Sequence, residues 1–99
     1  MSYVRIGSEQ RPFSEVSEQW ISEQLRRRNA DGTSTCVQVV LKTSYVDIIL
    51  STADCPKGAG GGRPPTQQER ALFDLWNRRG LNEAKFNPGS LIAFLKQAA

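Results

Sequence analysis

Cys36-Val37-Gln38-Val39-Val40-Leu41-Lys42-Thr43-Ser44-Tyr45-Val46-Asp47-Ile48-Ile49-Leu50-Ser51-Thr52 runs through the middle of a 99-residue chain, and its apolar residues recur at alternate positions. Val37, Val39 and Leu41, then Val46, Ile48 and Leu50, follow the period of two that puts one set of side chains on one face of a strand. β-Branched residues suit that pleated surface. The pattern predicts two strands folded antiparallel around Thr43-Ser44, with Leu41 opposite Val46, Val39 opposite Ile48 and Val37 opposite Leu50. Thr-Ser lacks the positive-φ preference of a two-residue hairpin turn, so a four-residue loop over Lys42 to Tyr45 is the alternative. The second face would carry Cys36, Gln38, Val40, Asp47, Ile49 and Ser51, a mixture suited to partial exposure or to a modest contact surface.

This register also speaks to the cysteines. Cys36 would face Ser51, leaving Cys55 four residues further on, about 13 Å at the usual strand rise. A disulfide needs Cα atoms within roughly 7 Å. Two free thiols are expected.

Upstream, Tyr3-Val4-Arg5-Ile6 reads as a short strand ending at Gly7, followed by a loop through Gln10-Arg11-Pro12. Ser14 can cap a helix from Glu15 to about Arg28, with Phe13 as a hydrophobic staple. Val16, Trp20, Ile21 and Leu25 give that helix one apolar face, and Asn29 to Gly32 ends it.

Downstream, Pro56 to Pro65 contains four glycines and three prolines and predicts a flexible loop. Thr66-Gln67-Gln68-Glu69 then matches a capping box. A helix to Arg79 follows, with Ala71, Leu72, Leu75 and Trp76 on one side and Gly80 as its stop. Leu81 to Phe86 reads as a packed turn. Asn87 or Ser90 can cap a last short helix with Pro88 in its first turn and Leu91, Ile92, Phe94 and Leu95 on its apolar side. The elements come in the order β-α-β-β-α-α. They predict an α+β, two-layer fold: a small three-stranded sheet with helices packed on one face. The length fits one domain spanning 1–99.

Composition narrows the function classes. No apolar stretch approaches the roughly 20 residues of a membrane-spanning helix. Met1 to Arg5 contains neither the apolar core nor the cleavage site of a secretion signal, so a cytoplasmic protein is expected. The chain has two cysteines and no histidine. A protein-only zinc site would therefore need carboxylates for at least two ligands, and none is expected. The same lack of histidine removes Ser-His-Asp and Cys-His catalysis. Cys55 lies between Asp54, which would raise its pKa, and Pro56-Lys57, which could offset that, so an activated thiolate has little support. No cofactor is implied.

Thirteen Lys and Arg against ten Asp and Glu leave a formal charge of +3, and nine of the thirteen are arginine. Arg26, Arg27 and Arg28 close the first helix, and Arg78 and Arg79 close the second. There they complement the helix dipole without any partner. The functional alternative is a shared basic patch, with Lys57 and Arg63 nearby, for nucleic-acid phosphates. The glycine loop follows a strand and precedes a helix, as phosphate cradles do. It matches neither GxxxxGK[ST] nor GxGxxG, and Pro64 and Pro65 carry no donors. A helix-turn-helix is disfavoured by the long Gly80–Asn87 connection.

Trp20 and Trp76 sit on apolar helix sides and are expected in the core. Phe73, at the margin of its helix's apolar arc, joins Val40 and Ile49 as a candidate hydrophobic contact surface. The leading expectation is a protein-interaction or accessory module without catalytic activity, binding a protein partner or itself. The alternative is a weak nucleic-acid binder using the arginine clusters and the glycine loop.

Overall fold

The computed structural model describes residues 2–30, 36–44, 47–53, 55, 65–83 and 86–98, with the side chains of 28–30 outside that description. Its elements are β1 (Tyr3–Ile6), β2 (Glu9–Pro12), a 3-10 turn (Phe13–Glu15), α1 (Glu18–Ala30), β3 (Val37–Lys42), β4 (Asp47–Ser51), α2 (Gln67–Arg78) and α3 (Pro88–Ala98). They form an α+β fold whose sheet has four antiparallel strands, not three, in the order β2-β1-β3-β4. Most of the stretch expected to be a flexible loop, 56–65, lies outside the described residues.

The additional strand is the segment expected to be a loop. Ile6 pairs with Glu9 across Gly7-Ser8, with Gly7 at φ 61. That is a two-residue hairpin with glycine at its first central position, where a type II′ turn needs positive φ. β2 has no apolar alternation to announce it, because Glu9, Gln10 and Arg11 are all exposed.

The central hairpin forms with its rungs displaced by two residues. Leu41 faces Ile48 and Val39 faces Leu50, while Lys42 faces Asp47 across the loop. An even shift preserves the faces. The Lys42 ammonium, 2.7 Å from the Asp47 carboxylate, closes the loop end of the ladder with an ion pair between directly opposed residues. At the other end Val37 N–H donates to Thr52 Oγ1 at 3.1 Å, and Thr52 N–H donates to Val37 O at 3.1 Å.

Beyond Thr52 the chain does not continue straight. Cys55 N–H donates back to Thr52 O at 3.2 Å, a tight turn that reverses the chain toward β3. Cys55 therefore lies with its Cα 4.5 Å from that of Cys36, and the two form a disulfide. The expectation of two free thiols is overturned for this reason: the 13 Å separation assumed a strand that continues past Thr52.

Helix ends follow local chemistry. Ser17, not Ser14, caps α1, its Oγ accepting from Trp20 N–H at 3.1 Å. Ser14 lies instead in the 3-10 turn, whose Phe13 packs against the core. Thr66 Oγ1 accepts from Glu69 N–H at 3.2 Å at the start of α2. At its end Gly80, at φ 70, donates to Asn77 O, and Leu81 donates to Trp76 O. Those two bonds define a Schellman stop, and the fully buried Leu81 anchors it. Asn87 caps α3 through Gly89 N–H at 2.8 Å.

The core lies between the sheet and the helices. Val4, Ile6, Val37, Val39, Leu41, Ile48 and Leu50 of the sheet meet Trp20, Ile21, Trp76, Leu91, Phe94 and Leu95 of the helices. Each fully buried aliphatic or Phe side chain contributes about 1.5–3 kcal/mol. Trp76 stands edge-on to Phe94, with centroids 5.2 Å apart, and its indole N–H donates to Ser51 O at 3.2 Å. α2 is thereby tied to β4.

Candidate functional site: the outer face of the sheet

Strand alternation sends a second set of side chains away from the helices. One cross-strand row reads Pro12, Tyr3, Val40, Ile49, and the row beside it reads Gln10, Arg5, Gln38, Ser51. Lys42 and Asp47 complete the face at the loop end.

Its character is an apolar strip with a charged border. Val40, only 4% exposed, is enclosed by its neighbours, whereas Ile49 is 51% exposed. The Tyr3 ring has the Arg5 guanidinium 5.7 Å and the Lys42 ammonium 6.0 Å from its centroid. Both lie within cation–π range. Lys42 also bonds Asp47, and that hydrogen bond is the main cause holding its ammonium above the ordinary lysine pKa. Where this face meets the disulfide, a cavity of about 350 Å³ is lined by Arg5, Gly7, Cys36 and Gln38.

The structure brings together two of the three residues expected to form a hydrophobic contact surface. Val40 and Ile49 are direct cross-strand neighbours. Phe73 is not part of this surface: half-buried on α2, it packs against the core cluster on the other side of the sheet. Its place on α2 puts it in the helical layer, away from Val40 and Ile49.

The arginine clusters lie on the helical layer. Arg26 and Arg27 are exposed near the end of α1. Arg78 Nε donates to Asp74 O within α2, at 3.4 Å. Arg79 donates twice to Gln97 Oε1 of α3, at 3.1 and 2.6 Å. The Arg28 side chain, Lys57 and Arg63 fall outside the described residues.

Tyr3, Arg5 and Lys42 are the site residues that sequence reading passed over. The alternation in Tyr3-Val4-Arg5-Ile6 was the signal for the first two, because Val4 and Ile6 facing the core place Tyr3 and Arg5 outside.

Among the described residues no group of three or more Cys, Asp or Glu side chains could hold a metal ion. No helix among them is long and apolar enough to cross a membrane. Compared with protein families, with curated proteins and with solved structures, the chain matches none of them.

Proposed function

We propose that this chain is a small protein-interaction or accessory module without catalytic activity, and that it binds through the outer face of its sheet. The observation behind this reading is Ile49. Its side chain is 51% exposed although it belongs to a strand whose neighbours Ile48 and Leu50 are core residues. It stands at the end of a row whose other members, Pro12 and Tyr3, are half-buried and whose Val40 is enclosed, so the exposed aliphatic surface centres on Ile49 with Lys42 and Asp47 as its charged rim.

Tyr3 supports a second reading. An aromatic ring with two cations beside it offers stacking and phosphate contacts to an unpaired base, so weak binding of single-stranded nucleic acid is the alternative. The arginine clusters add to it only where they extend the electrostatic field, since Arg78 and Arg79 bond to helix groups.

A photoreactive residue at position 49, compared with one at Ser22 on exposed α1, tests the two in cells. Protein adducts that depend on position 49 support the proposal. Nucleic-acid adducts there support the alternative, and equal labelling from both positions defeats both.

The proposal includes a cytoplasmic setting, and the Cys36–Cys55 bond pulls against it, because structural disulfides persist mainly in oxidising compartments. Alkylation in intact cells decides: two labelled thiols support the cytoplasm, and an unlabelled chain places it elsewhere.

A further inference from the structure

We propose that the outer edge of β4 pairs with β4 of a second copy of this chain, antiparallel, with the two-fold axis at Ile49. The inference rests on the protein-binding reading and names the partner.

The ladder fixes which backbone groups face outward. Val37 and Thr52 form a hydrogen-bonded rung, through Thr52 N–H to Val37 O at 3.1 Å. In an antiparallel pair such rungs alternate with rungs whose N–H and C=O turn away from the partner strand. Asp47, Ile49 and Ser51 therefore present their backbone groups to the side of β4 away from β3, where Trp76 already occupies one lone pair of Ser51 O. Two bonds check this parity independently. Ser51 O accepts from Trp76 Nε1 at 3.2 Å on that side, and Lys42 N–H reaches Ser2 Oγ at 3.2 Å on the opposite side of β3. Among the described residues, the outward N–H and C=O of Asp47 and Ile49 meet no protein group.

The other edge of the sheet is closed to pairing. The same alternation turns the backbone groups of Gln10 and Pro12 outward on β2, and Pro12 has no N–H. Glu9 and Arg11 flank them with charge. Proline and charge on an edge strand are the devices that keep sheets from joining. β4 reads Asp47-Ile48-Ile49-Leu50-Ser51, with neither Pro nor Lys and a single charge at its start.

A row of alternating donors and acceptors fits an extended strand, and the register favours this chain's own. With the axis at Ile49, the two Ile49 residues exchange both backbone bonds, and each Asp47 lies opposite the partner's Ser51, whose carbonyl takes the Asp47 N–H on the lone pair that Trp76 leaves open. The apolar row Pro12, Tyr3, Val40, Ile49 then continues without a break into the partner's half of an eight-stranded sheet. A slip of two residues either way sets Ile49 against the partner's Asp47 or the partner's Ser51 and interrupts that row. Such an arrangement is isologous and closes on itself, so it stops at a dimer. A five-residue strand buries less than the roughly 1,200 Å² of a standard interface, so the dimer belongs to the weak, concentration-dependent class.

Sedimentation and amide hydrogen exchange over a concentration series test this on the intact, disulfide-bonded chain. The expected result is a mass rising toward twice the monomer, with exchange slowing at Ile49 and Asp47 and unchanged at Gln10. Ile49→Lys should remain monomeric and keep the wild-type circular dichroism, since the side chain it replaces is exposed; Ser22→Lys, the charge control, should dimerise as before. A constant mass overturns the proposal, as does slowing at sites other than β4 or an Ile49→Lys chain that dimerises like wild type. If the mass is constant but photoadducts form with a different protein at position 49, the protein-binding reading stands and the second-copy inference falls. If neither occurs, both fall.

Discussion

At one edge of the sheet β2 reads Glu9-Gln10-Arg11-Pro12, and at the other β4 reads Asp47-Ile48-Ile49-Leu50-Ser51. β2 contributes no buried side chain. Its hold comes from the hairpin to β1 and from the Arg11 guanidinium, 5.0 Å from the centre of the Trp20 ring. β4 gives Ile48 and Leu50 to the core and is fastened by Trp76 and by the turn into the disulfide. A strand with no burial duty is free to carry charge and proline, and so guards its edge. A strand that must be aliphatic on its inner face has only its outer face and its ends for that purpose, and β4 uses just Asp47. The difference shows that edge protection and core formation compete for the same few residues.

The largest expected effect comes from Trp76→Ala, which removes both the ring against Phe94 and the N–H on Ser51 O. It should cost about 3–5 kcal/mol in urea unfolding. Hydrogen exchange should quicken along β4 more than along β2; equal quickening would mean that the two edges unfold as one unit and erase the contrast.

Opening the Cys36–Cys55 bond comes next. A disulfide enclosing a loop of this size, 19 residues apart in sequence, stabilises by about 3 kcal/mol. Reductant, or the pair Cys36→Ser with Cys55→Ser, should lower the urea midpoint accordingly and speed exchange at Thr52. An unchanged midpoint would show that the turn at Thr52 holds β4 unaided.

Gly7→Ala acts on the opposite edge. It forces a side chain onto φ 61 and should cost about 1–2 kcal/mol, with exchange rising at the β1–β2 rungs and β4 unaffected. Loss of protection at β4 would show that β2 supports the whole sheet.

The smallest effect belongs to the Lys42–Asp47 pair. Its hydrogen bond raises the Lys42 pKa in the folded chain, so the pair's contribution is complete below the ordinary value of 10.5 and is lost as pH rises through the raised value. The exposed setting keeps this small. Unfolding measured on either side of that range should show a decline for the wild type and none for Lys42→Met; parallel profiles would remove the pair from the account.

The alternation of Val37, Val39 and Leu41 and of Ile48 and Leu50, the Thr66 cap and the Gly80 stop were legible because each depends on neighbours within a few residues; Val46 lies outside the described residues, and of the two caps offered for α3, Asn87 and Ser90, Asn87 is the one used. The register of β3 and β4 was legible only in part: periodicity fixes the face, but the position of the loop fixes the rung, and both a turn at Thr43-Ser44 and a loop over Lys42 to Tyr45 set Leu41 opposite Val46, whereas the strands pair Leu41 with Ile48. β2 escaped detection because a strand lying outside the core has no apolar period, although Gly7-Ser8 between Ile6 and Glu9 was a hairpin signal. The Cys36–Cys55 bond depends on one backbone reversal at Thr52, which spacing along a straight strand cannot show. At the candidate site the pairing of Ile49 and Val40 followed from alternation, whereas the sequence could not say that Phe73 lies in the helical layer apart from them, because the layer a helix flank faces is set by contacts distant in sequence.

One consequence of the two tryptophans is optical. Trp20 lies under the Arg11 cation of β2, and Trp76 bonds through its ring nitrogen to β4, so each margin of the sheet carries its own chromophore. Paired variants, Trp20→Phe and Trp76→Phe, leave one emitter apiece. Fluorescence can then follow the guarded and the open margin separately, one titration to each variant.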